Sequence, residues 1–557
     1  MPEKSRFQID IPGTDVLTYL FPPGSKPSDV PIWIDAVEPD KRSLSPKQLL
    51  GWVKRLGLGL KRLGLKQEDV VMIYSANHIF VPVAYLGVTG GGYIFSGCNP
   101  AYGVAETRYQ IDNTGAKVML VDPLLLKFAL EAADKAKFPR DCIFLFSDDE
   151  YLPTQGLKDW RTMLASAEES EKWQWESFNA VQSKNRTAVL NYSSGTTGLP
   201  KGVMISHQNV IANVEQSIFM RNLEQPYKPG NRPQERWLGF LPLYHAYGQL
   251  WSIVAACRTL SPTFFMKAFN YVEFLRHIQS HKITHIQTAP PVLVMLGKRP
   301  ETKDFDLSSL QNILCGAAPL SKELQNEVSA KWQVKIVQTW GMTEVTCSSL
   351  HVPGGMDDRS GCAGLIDPNA EIKLIDDNGN EVGPGERGEI YITGPNICLG
   401  YWRNPAATKA SFDKDGFLIT GDVAIKNEDG WYWIVDRKKE LIKVKGFQVA
   451  PAELEAVLLE NDDVADAAVV ALHAEHDELP RAYVVLTGDA KGKVSEKDIV
   501  TWTAKHVAKH KQLTGGVKFI EEVPKSPSGK IQRKVMRDWA AKDAKEMELG
   551  PVARAKL

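Results

Sequence analysis

The chain has 557 residues, 43% of them hydrophobic and 24% charged, a balance typical of globular proteins that excludes disordered, collagen-like and disulfide-stapled classes. Its 66 basic and 67 acidic residues give a net charge of −1, so bulk electrostatics do not attract nucleic acid or an anionic membrane. A bound anion therefore needs a local site. Seven cysteines without a CxxC pair favour a reducing compartment over a disulfide framework or a cysteine zinc site.

Helical and apolar strand patterns alternate along most of the chain, which predicts an α/β fold with mixed sheets covered by helices. Helical spacing predicts a surface helix over 46–63. The apolar stretch 70–95 is interrupted by Asn77 and His78, so it predicts a buried strand and helix and not a membrane span. Apolar runs predict further strands at 117–121 and 371–375.

The pattern of elements changes near residue 436. The charged run 436–440 lies between two apolar strands, and shorter elements follow it. The patterns predict a helix from 451, strands at 467–472 and 482–486, a helix over 496–507, a strand at 517–520 and a final helix. We therefore predict a large N-terminal domain, 1–435, and a small, mobile α+β lid domain, 436–557, with the charged run as its hinge.

The segment 192–202, YSSGTTGLPKG, is the strongest local signal in the sequence. Its glycines let the main chain approach a ligand, and its hydroxyls and lysine suit a polyphosphate. It differs from a Walker A loop, because Pro200 replaces a required glycine and a strand is predicted at 203–205 where that loop opens a helix. Ser206 is the predicted N-cap of the next helix. The candidate phosphate-binding residues are Ser193, Ser194, Gly195, Thr196, Thr197, Gly198 and Lys201.

This segment resembles the signature of the adenylate-forming superfamily: acyl- and aryl-CoA ligases, beetle luciferases and peptide-synthetase adenylation domains. Further motifs follow in the expected order over nearly the whole chain: GAAPL at 316–320, QTWGMTE at 338–344, TGD at 420–422, the segment 436–448, and PKSPSGK at 524–530. The likeness is greatest to 4-coumarate–CoA ligases and their fungal relatives. It implies that a carboxylate reacts with MgATP to give an acyl-adenylate and pyrophosphate, and that coenzyme A then takes the acyl group.

The resemblance also implies roles for single residues in adenylation. Ser193 to Lys201 would surround the β and γ phosphates, and Thr343 would contact the α phosphate. Glu344 would hold Mg²⁺, because this hard ion is bound by one or two carboxylates together with phosphate oxygens. Lys530 would stabilise charge in the transition state, and His245 would lie beside the substrate carboxylate and gate the pocket. The other implied nucleotide contacts are Ala317 and Trp340 at adenine, Asp422 and Arg437 at ribose, and Gln338, Thr339, Lys439, Lys443 and Gln448.

For the second half-reaction, the resemblance implies that the small domain rotates about Lys439 and presents a second face. Lys443 would then act there, while Gly446 would give the pantetheine arm room and Lys445 and Lys267 would hold coenzyme A phosphates. The implied acid pocket consists of Ala246, Tyr247, Leu250, Gln287, Ala317, Thr339, Gly341, Cys347 and Ser348.

The acid itself stays open among medium-chain fatty, phenylacetic, benzoic and cinnamic acids, because Thr339 replaces the glycine of 4-coumarate ligases. Two other activities of this superfamily are alternatives to the ligase activity. A stand-alone enzyme that loads a carrier protein is one alternative, and luciferase-like oxygenation is another, which the motif around His245 disfavours. The last residues, Ala555, Lys556 and Leu557, form a small-basic-leucine tail that predicts recognition by the peroxisomal import receptor, with a cytoplasmic enzyme as the alternative.

Overall fold

The computed structural model describes residues 2–193, 199–227, 231–445, 447–474, 478–526 and 529–547. Its strands are β1 (Glu3–Lys4), β2 (Trp33–Asp35), β3 (Ser43–Leu44), β4 (Val70–Tyr74), β5 (Ile94–Cys98), β6 (Val118–Val121), β7 (Ile143–Leu145), β8 (Lys158–Asp159), β9 (Thr187–Ser193), β10 (Lys201–Ser206), β11 (Trp237–Gly239), β12 (Thr263–Phe265), β13 (His285–Thr288), β14 (Asn312–Cys315), β15 (Lys335–Trp340), β16 (Leu350–His351), β17 (Leu365–Ile366), β18 (Glu371–Ile375), β19 (Gly388–Thr393), β20 (Gly400–Tyr401), β21 (Leu418–Lys426), β22 (Tyr432–Arg437), β23 (Ile442–Val444), β24 (Phe447–Val449), β25 (Val464–His473), β26 (Glu478–Leu486) and β27 (Val517–Phe519).

Helices connect and cover these strands. They are α1 (Val16–Leu20), α2 (Pro46–Arg62), α3 (Val81–Gly90), α4 (Val104–Thr114), α5 (Leu126–Lys135), α6 (Ala167–Lys172), α7 (Ala180–Asn185), α8 (His207–Asn222), α9 (Ala246–Gly248), α10 (Ala256–Thr259), α11 (Tyr271–His281), α12 (Pro290–Lys298), α13 (Lys322–Trp332), α14 (Pro405–Ala410), α15 (Pro451–Leu459), α16 (Glu496–His506) and α17 (Arg533–Glu546). A π-helical stretch, Gln249–Ala255, continues α9.

Two large mixed sheets form the body of the chain. Their strand orders are β20-β10-β9-β5-β4-β6-β7-β8 and β17-β16-β15-β14-β13-β11-β12-β2-β3. Neighbouring strands are mostly parallel in both, and the antiparallel pairs lie toward the sheet edges: β20–β10, β10–β9, β15–β16, β16–β17 and β2–β3. A third, antiparallel sheet has the order β1-β18-β19-β21-β22. The predicted architecture of mixed sheets covered by helices is confirmed.

The predicted helices and strands of the large part are confirmed, since each apolar pattern has a buried face to cover. Ser45 caps α2 in a capping box with Gln48, and the helix buries Leu49, Val53 and Leu56. The apolar stretch 70–95 forms β4, α3 and the start of β5, which are buried. Within the part of the chain that the structure describes, no helix is long and apolar enough to cross a bilayer.

The elements predicted after residue 450 are also confirmed, as α15, β25, β26, α16, β27 and α17. They enclose a separate hydrophobic core that includes Leu454, Val469 and Val484. Strand β22 pairs with β21 and ends at Arg437, so the predicted domain boundary between 435 and 436 falls inside this strand. The hinge at 436–440 stays a prediction.

Candidate active site

A hairpin carries the candidate phosphate loop. Ser193 at the end of β9 faces Lys201 at the start of β10, in antiparallel register. Ser206 then caps α8, and its hydroxyl accepts from the amide of Asn209. The predicted strand–loop–strand–helix order is therefore confirmed, which separates this loop from a Walker A loop. The loop residues Ser194, Gly195, Thr196, Thr197 and Gly198 lie outside the described residues.

A cavity of about 390 Å³, including its opening to solvent, lies where the large part meets Lys530 of the small domain. Its walls come from the segments around 245–247, 316–317 and 339–348. The lining residues are His245, Ala246, Tyr247, Gly316, Ala317, Thr339, Gly341, Met342, Thr343, Cys347, Ser348 and Lys530. Most of the predicted acid-pocket residues are thus brought together.

Two of the predicted pocket residues, Leu250 and Gln287, are buried but do not line this cavity. Conversely, Gly316 and Met342 line the cavity but were not among the predicted pocket residues. Gly316 lies in the motif GAAPL next to Ala317, and Met342 lies in the motif QTWGMTE next to Gly341. This adjacency to predicted pocket residues is the sequence feature that could have identified them.

Hydroxyl groups in the cavity wall are bonded to backbone carbonyls. The Tyr247 hydroxyl donates to the carbonyl of Leu314 at 2.9 Å, and the Thr339 hydroxyl donates to the carbonyl of Leu350 at 2.8 Å. The Thr339 methyl also lies so close to Gly316 that a Cβ there would come within 2.8 Å of it. The wall on this side therefore offers mainly carbon surface to a bound acid.

Lys530 reaches the cavity from a short hairpin of the small domain. The amide of Ser526 donates to the carbonyl of Lys530 at 2.8 Å, and the Lys530 amide donates to the Ser526 hydroxyl at 3.2 Å. Burial and the nearby Arg437 lower the pKa of Lys530 to about 8, although Asp422 and Glu344 oppose this shift. Lys530 is therefore mostly a cation at neutral pH.

His245 lines the same cavity as Lys530. Its Nδ1 accepts a hydrogen bond of 3.3 Å from the Tyr247 amide, so the neutral ring carries its proton on Nε2. Burial, with a smaller contribution from Lys530, lowers the pKa of His245 to about 3. The imidazole is thus neutral at physiological pH, and its Nε2–H can donate a hydrogen bond to a ligand.

The candidate nucleotide residues fall into two groups. The Nε1 of Trp340 donates to Asp422 at 2.8 Å, and Arg437 pairs with the same carboxylate at 3.3 Å. These three residues connect the ends of β15 and β22 to the middle of β21. Gln338 is different, because its amide donates to the carbonyl of Leu320 at 3.0 Å and to Gln325 at 2.9 Å. It supports the GAAPL loop and does not line the cavity.

Glu344 is buried, and its Oε1 accepts a hydrogen bond of 2.9 Å from the Tyr401 hydroxyl. The Lys201 ammonium lies 4.3 Å from the centre of the Tyr401 ring. Tyr401, which no sequence motif predicted, therefore holds the candidate metal ligand beside the phosphate hairpin. Among the described residues no cluster of three or more His, Cys, Asp or Glu side chains could hold a metal. A single buried carboxylate nevertheless fits Mg²⁺ shared with phosphate oxygens and water.

A second cavity, of about 320 Å³, adjoins the first. His245, Ala246 and Thr343 line both cavities and form their common wall. The remaining lining residues of the second cavity are Gly97, Asn99, Tyr102, Gln110, Asn191, Tyr192 and Tyr244. His245, Ala246 and Thr343 are thus flanked by two cavities.

The residues expected to act with coenzyme A lie away from these cavities. Lys443 and Lys445 are exposed on the β23–β24 hairpin, and Gly446 lies outside the described residues. Lys439 is exposed, and Gln448 donates to Asp377 of the large part at 2.8 Å. Lys267 pairs with Asp148 at 3.0 Å.

Comparison with known proteins agrees with this arrangement. Residues 25–402 match the family model of AMP-binding enzymes, and residues 453–530 match the AMP-binding enzyme C-terminal domain. An acyl-CoA synthetase of Alternaria alternata is 36% identical over 516 residues, covering 91% of this chain and 87% of that protein. A 4-coumarate–CoA ligase of Pinus taeda is 34% identical over 532 residues, covering 94% of each.

A solved structure, ATP-bound MatB from Rhodopseudomonas palustris, has a TM-score of 0.77 at 26% identity, over 94% of this chain and 98% of that chain. The chain therefore belongs to the AMP-binding enzyme family. It is an adenylate-forming acid–thiol ligase of the acyl-CoA synthetase type with 4-coumarate–CoA ligase-like relatives. Membership implies the use of ATP and coenzyme A.

Proposed function

We propose that the enzyme makes acyl-CoA in two steps within one site. In the first, a carboxylate oxygen attacks the α-phosphorus of ATP, the bond to the β-phosphate oxygen breaks, and pyrophosphate leaves. In the second, the coenzyme A thiol loses its proton to solvent and its sulfur attacks the acyl carbon, the bond to the AMP oxygen breaks, and AMP leaves with that oxygen. The observation that carries this proposal is the position of Lys530, which lines the same cavity as Thr343 and His245.

Attack of one anion on another requires that charge be neutralised where it develops. Lys530 supplies a cation at the reacting phosphate and carboxylate. The Nε2–H of His245 orients the carboxylate by donating to it, because Nδ1 is already occupied by the Tyr247 amide. Asp422 accepts hydrogen bonds from the ribose, and Trp340 and Arg437 hold it in place. Glu344, with the phosphates, would hold Mg²⁺, which supplies further charge neutralisation.

For the second step, the thiol approaches through the second cavity. This cavity shares His245, Ala246 and Thr343 with the acid cavity, and this proximity supports an approach to the acyl carbon from a side other than the acid pocket. The hairpin that bears Lys443 and Lys445 must then replace Lys530 at the site, which requires rotation of the small domain about 436–440. Lys445 and Lys267 would bind coenzyme A phosphates after that rotation.

The acid is a monocarboxylate with an uncharged tail. Apart from Lys530 and the neutral His245, the described cavity lining contains no ionisable nitrogen, and the hydroxyls of Tyr247 and Thr339 are bonded to the wall. A second carboxylate would therefore be buried without a cationic partner of its own, at a high desolvation cost. Pyrophosphate release with medium-chain fatty, phenylacetic, benzoic and cinnamic acids, each with a dicarboxylate counterpart, tests this. Dicarboxylates as the preferred substrates would contradict it.

Acyl transfer to free coenzyme A separates this proposal from the alternatives. Thioester formation with coenzyme A supports the ligase. Transfer only to an added carrier protein would indicate the loading enzyme, and light emission would indicate oxygenation of the adenylate.

We also propose that the enzyme is peroxisomal. The motivation is the tail Ala555-Lys556-Leu557, which lies outside the described residues. Fluorescence microscopy of the chain fused behind a fluorescent protein, with its C-terminus free, should show peroxisomes. The reverse fusion, which blocks Leu557, should be cytosolic, and peroxisomal targeting of that fusion would contradict the proposal.

A further inference from the structure

Lys298, the last residue of α12, joins the large part of the chain to the small domain. Its ammonium donates to the carbonyl oxygen of Val464 at 2.6 Å and to that of Asn461 at 3.2 Å. The side chain is half-buried, and burial lowers the pKa of Lys298 while Glu327 and Asp462 oppose this shift. These are charge-assisted bonds from one domain to the main chain of the other.

The segment that Lys298 holds leads to the hairpin of Lys530. Asp466, two residues after Val464, pairs with Lys525 at 2.5 Å. Lys525 is bridged to Ile531 across this hairpin, whose arms are Ser526 and Lys530. The carbonyl of Lys525 also accepts from the Gln532 side chain at 3.0 Å. A short series of polar contacts therefore runs from Lys298 to the base of the loop that carries the adenylating lysine.

The other end of α12 contacts the same loop directly. A Cβ placed on Gly529 would lie 3.2 Å from Cγ of Pro291 and 3.3 Å from Cβ of Ala289. Pro291 is in the first turn of α12 and Ala289 precedes it. One helix of the large part therefore contacts the small domain at two places, next to Lys530 through its first turn and at Asn461–Val464 through its last residue.

We propose that Lys298 is a positioning residue for adenylation, which holds the small domain in the pose that places Lys530 in the cavity. The inference rests on the proposed two-step function. Rotation about 436–440 would carry 461–464 away from α12, so the Lys298 bonds exist in the adenylating pose and are lost in the other. An interaction that exists in only one pose shifts the equilibrium between the two poses by its whole free energy. Losing Lys298 therefore selectively weakens adenylation.

The test uses the full chain with Lys298→Met, and with Lys298→Gln as a second variant. Lys331→Met is the matched control, because Lys331 donates to the carbonyl of Gly297 on the same helix and remains within the large part. We expect Lys298→Met and Lys298→Gln to lower kcat of pyrophosphate release by about ten-fold, the effect of losing a charged hydrogen bond. Conversion of supplied acyl-adenylate to acyl-CoA should be unchanged or faster. Lys331→Met should change neither half-reaction.

Amide hydrogen exchange of the unliganded proteins gives a readout that needs no activity. We expect faster exchange at 461–466 and 524–532 in Lys298→Met, and none of this change in Lys331→Met. Equal loss of both half-reactions in a folded variant, or wild-type exchange at both segments, would overturn the role of Lys298. If the wild-type chain performs neither half-reaction, the proposed function fails, and the exchange data alone decide whether Lys298 positions the loop.

Discussion

The indole Nε1 of Trp340 donates a hydrogen bond of 2.8 Å to the buried carboxylate of Asp422. The side chain at the expected adenine position therefore fixes the side chain at the expected ribose position. A tyrosine in its place would have no ring N–H to make this bond. Nucleotide affinity should accordingly depend on Trp340 through Asp422 as well as through ring stacking.

Trp340→Phe keeps an aromatic ring and removes the donor. We expect KM for ATP to rise about ten-fold, because a hydrogen bond to a charged group contributes ~1.5–3 kcal/mol, while KM for the acid changes little. Steady-state kinetics with each substrate varied in turn measures this. A parallel rise in both KM values would mean that Trp340 supports the whole cavity and not the ribose site.

Tyr401→Phe should raise the Mg²⁺ concentration needed for half-maximal pyrophosphate release by about 10-fold or more, the usual effect of losing a partner of a metal ligand. The reason is that the Tyr401 hydroxyl orients Glu344. Tyr19→Phe is the matched control, since Tyr19 makes a similar bond to Glu215 outside the lining of either cavity. The same Mg²⁺ requirement in wild type and Tyr401→Phe would argue against Glu344 as the metal ligand.

The pH dependence of adenylation should follow Lys530. The pKa of this lysine is lowered to about 8, and the protonated form is the one that stabilises the transition state. We therefore expect kcat/KM for ATP to fall as pH rises above 8, since this parameter reports groups of the free enzyme. Lys530→Arg should remove the alkaline decline, because arginine stays charged. His245, with a pKa of about 3, should contribute no titration near neutral pH. An unchanged alkaline decline in Lys530→Arg would assign it to another group.

Substitutions at Thr339 test whether this side chain lines the acid pocket. Thr339→Gly removes the methyl beside Gly316 and should raise kcat/KM for bulky aryl acids relative to small acids by about 10-fold or more, within the ~1–3 kcal/mol of such contacts. Thr339→Ser is the control, because it can keep the hydroxyl bond to Leu350 while losing only the methyl. We expect Thr339→Ser to shift the ratio in the same direction by less. No shift in either variant across a size series of acids would exclude this wall from the acid site.

The sequence predicted the elements well wherever a local pattern decides the structure. The strand at 70–74, the hairpin before Ser206 and the elements after residue 450 each follow from apolar periodicity and capping. Contacts between distant segments leave no such local signal. The hydrogen bond from Tyr401 to Glu344 joins residues that are 57 positions apart in the sequence. The hydrogen bonds from Lys298 to the small domain join residues more than 160 positions apart.

Local motifs also do not reveal where a side chain points. Gln338 and Thr339 are neighbours in one motif, yet Thr339 lines the cavity and Gln338 bonds to Leu320 behind it. The reason is that successive side chains of a strand point to opposite faces, and β15 carries both residues. Motif membership therefore identified the region of the site but not each side chain in it.

The two-step account is tested most directly by Lys530→Ala, assayed in each half-reaction separately. Lys530 lies in the cavity, whereas Lys443 and Lys445 lie on an exposed hairpin elsewhere on the small domain. A two-step mechanism predicts that pyrophosphate release from acid and MgATP falls by about 10²–10³-fold, the usual effect of losing a transition-state charge contact. Conversion of supplied acyl-adenylate to acyl-CoA should remain near the wild-type rate. Equal loss of both half-reactions, in a variant with wild-type thermal stability, would contradict it.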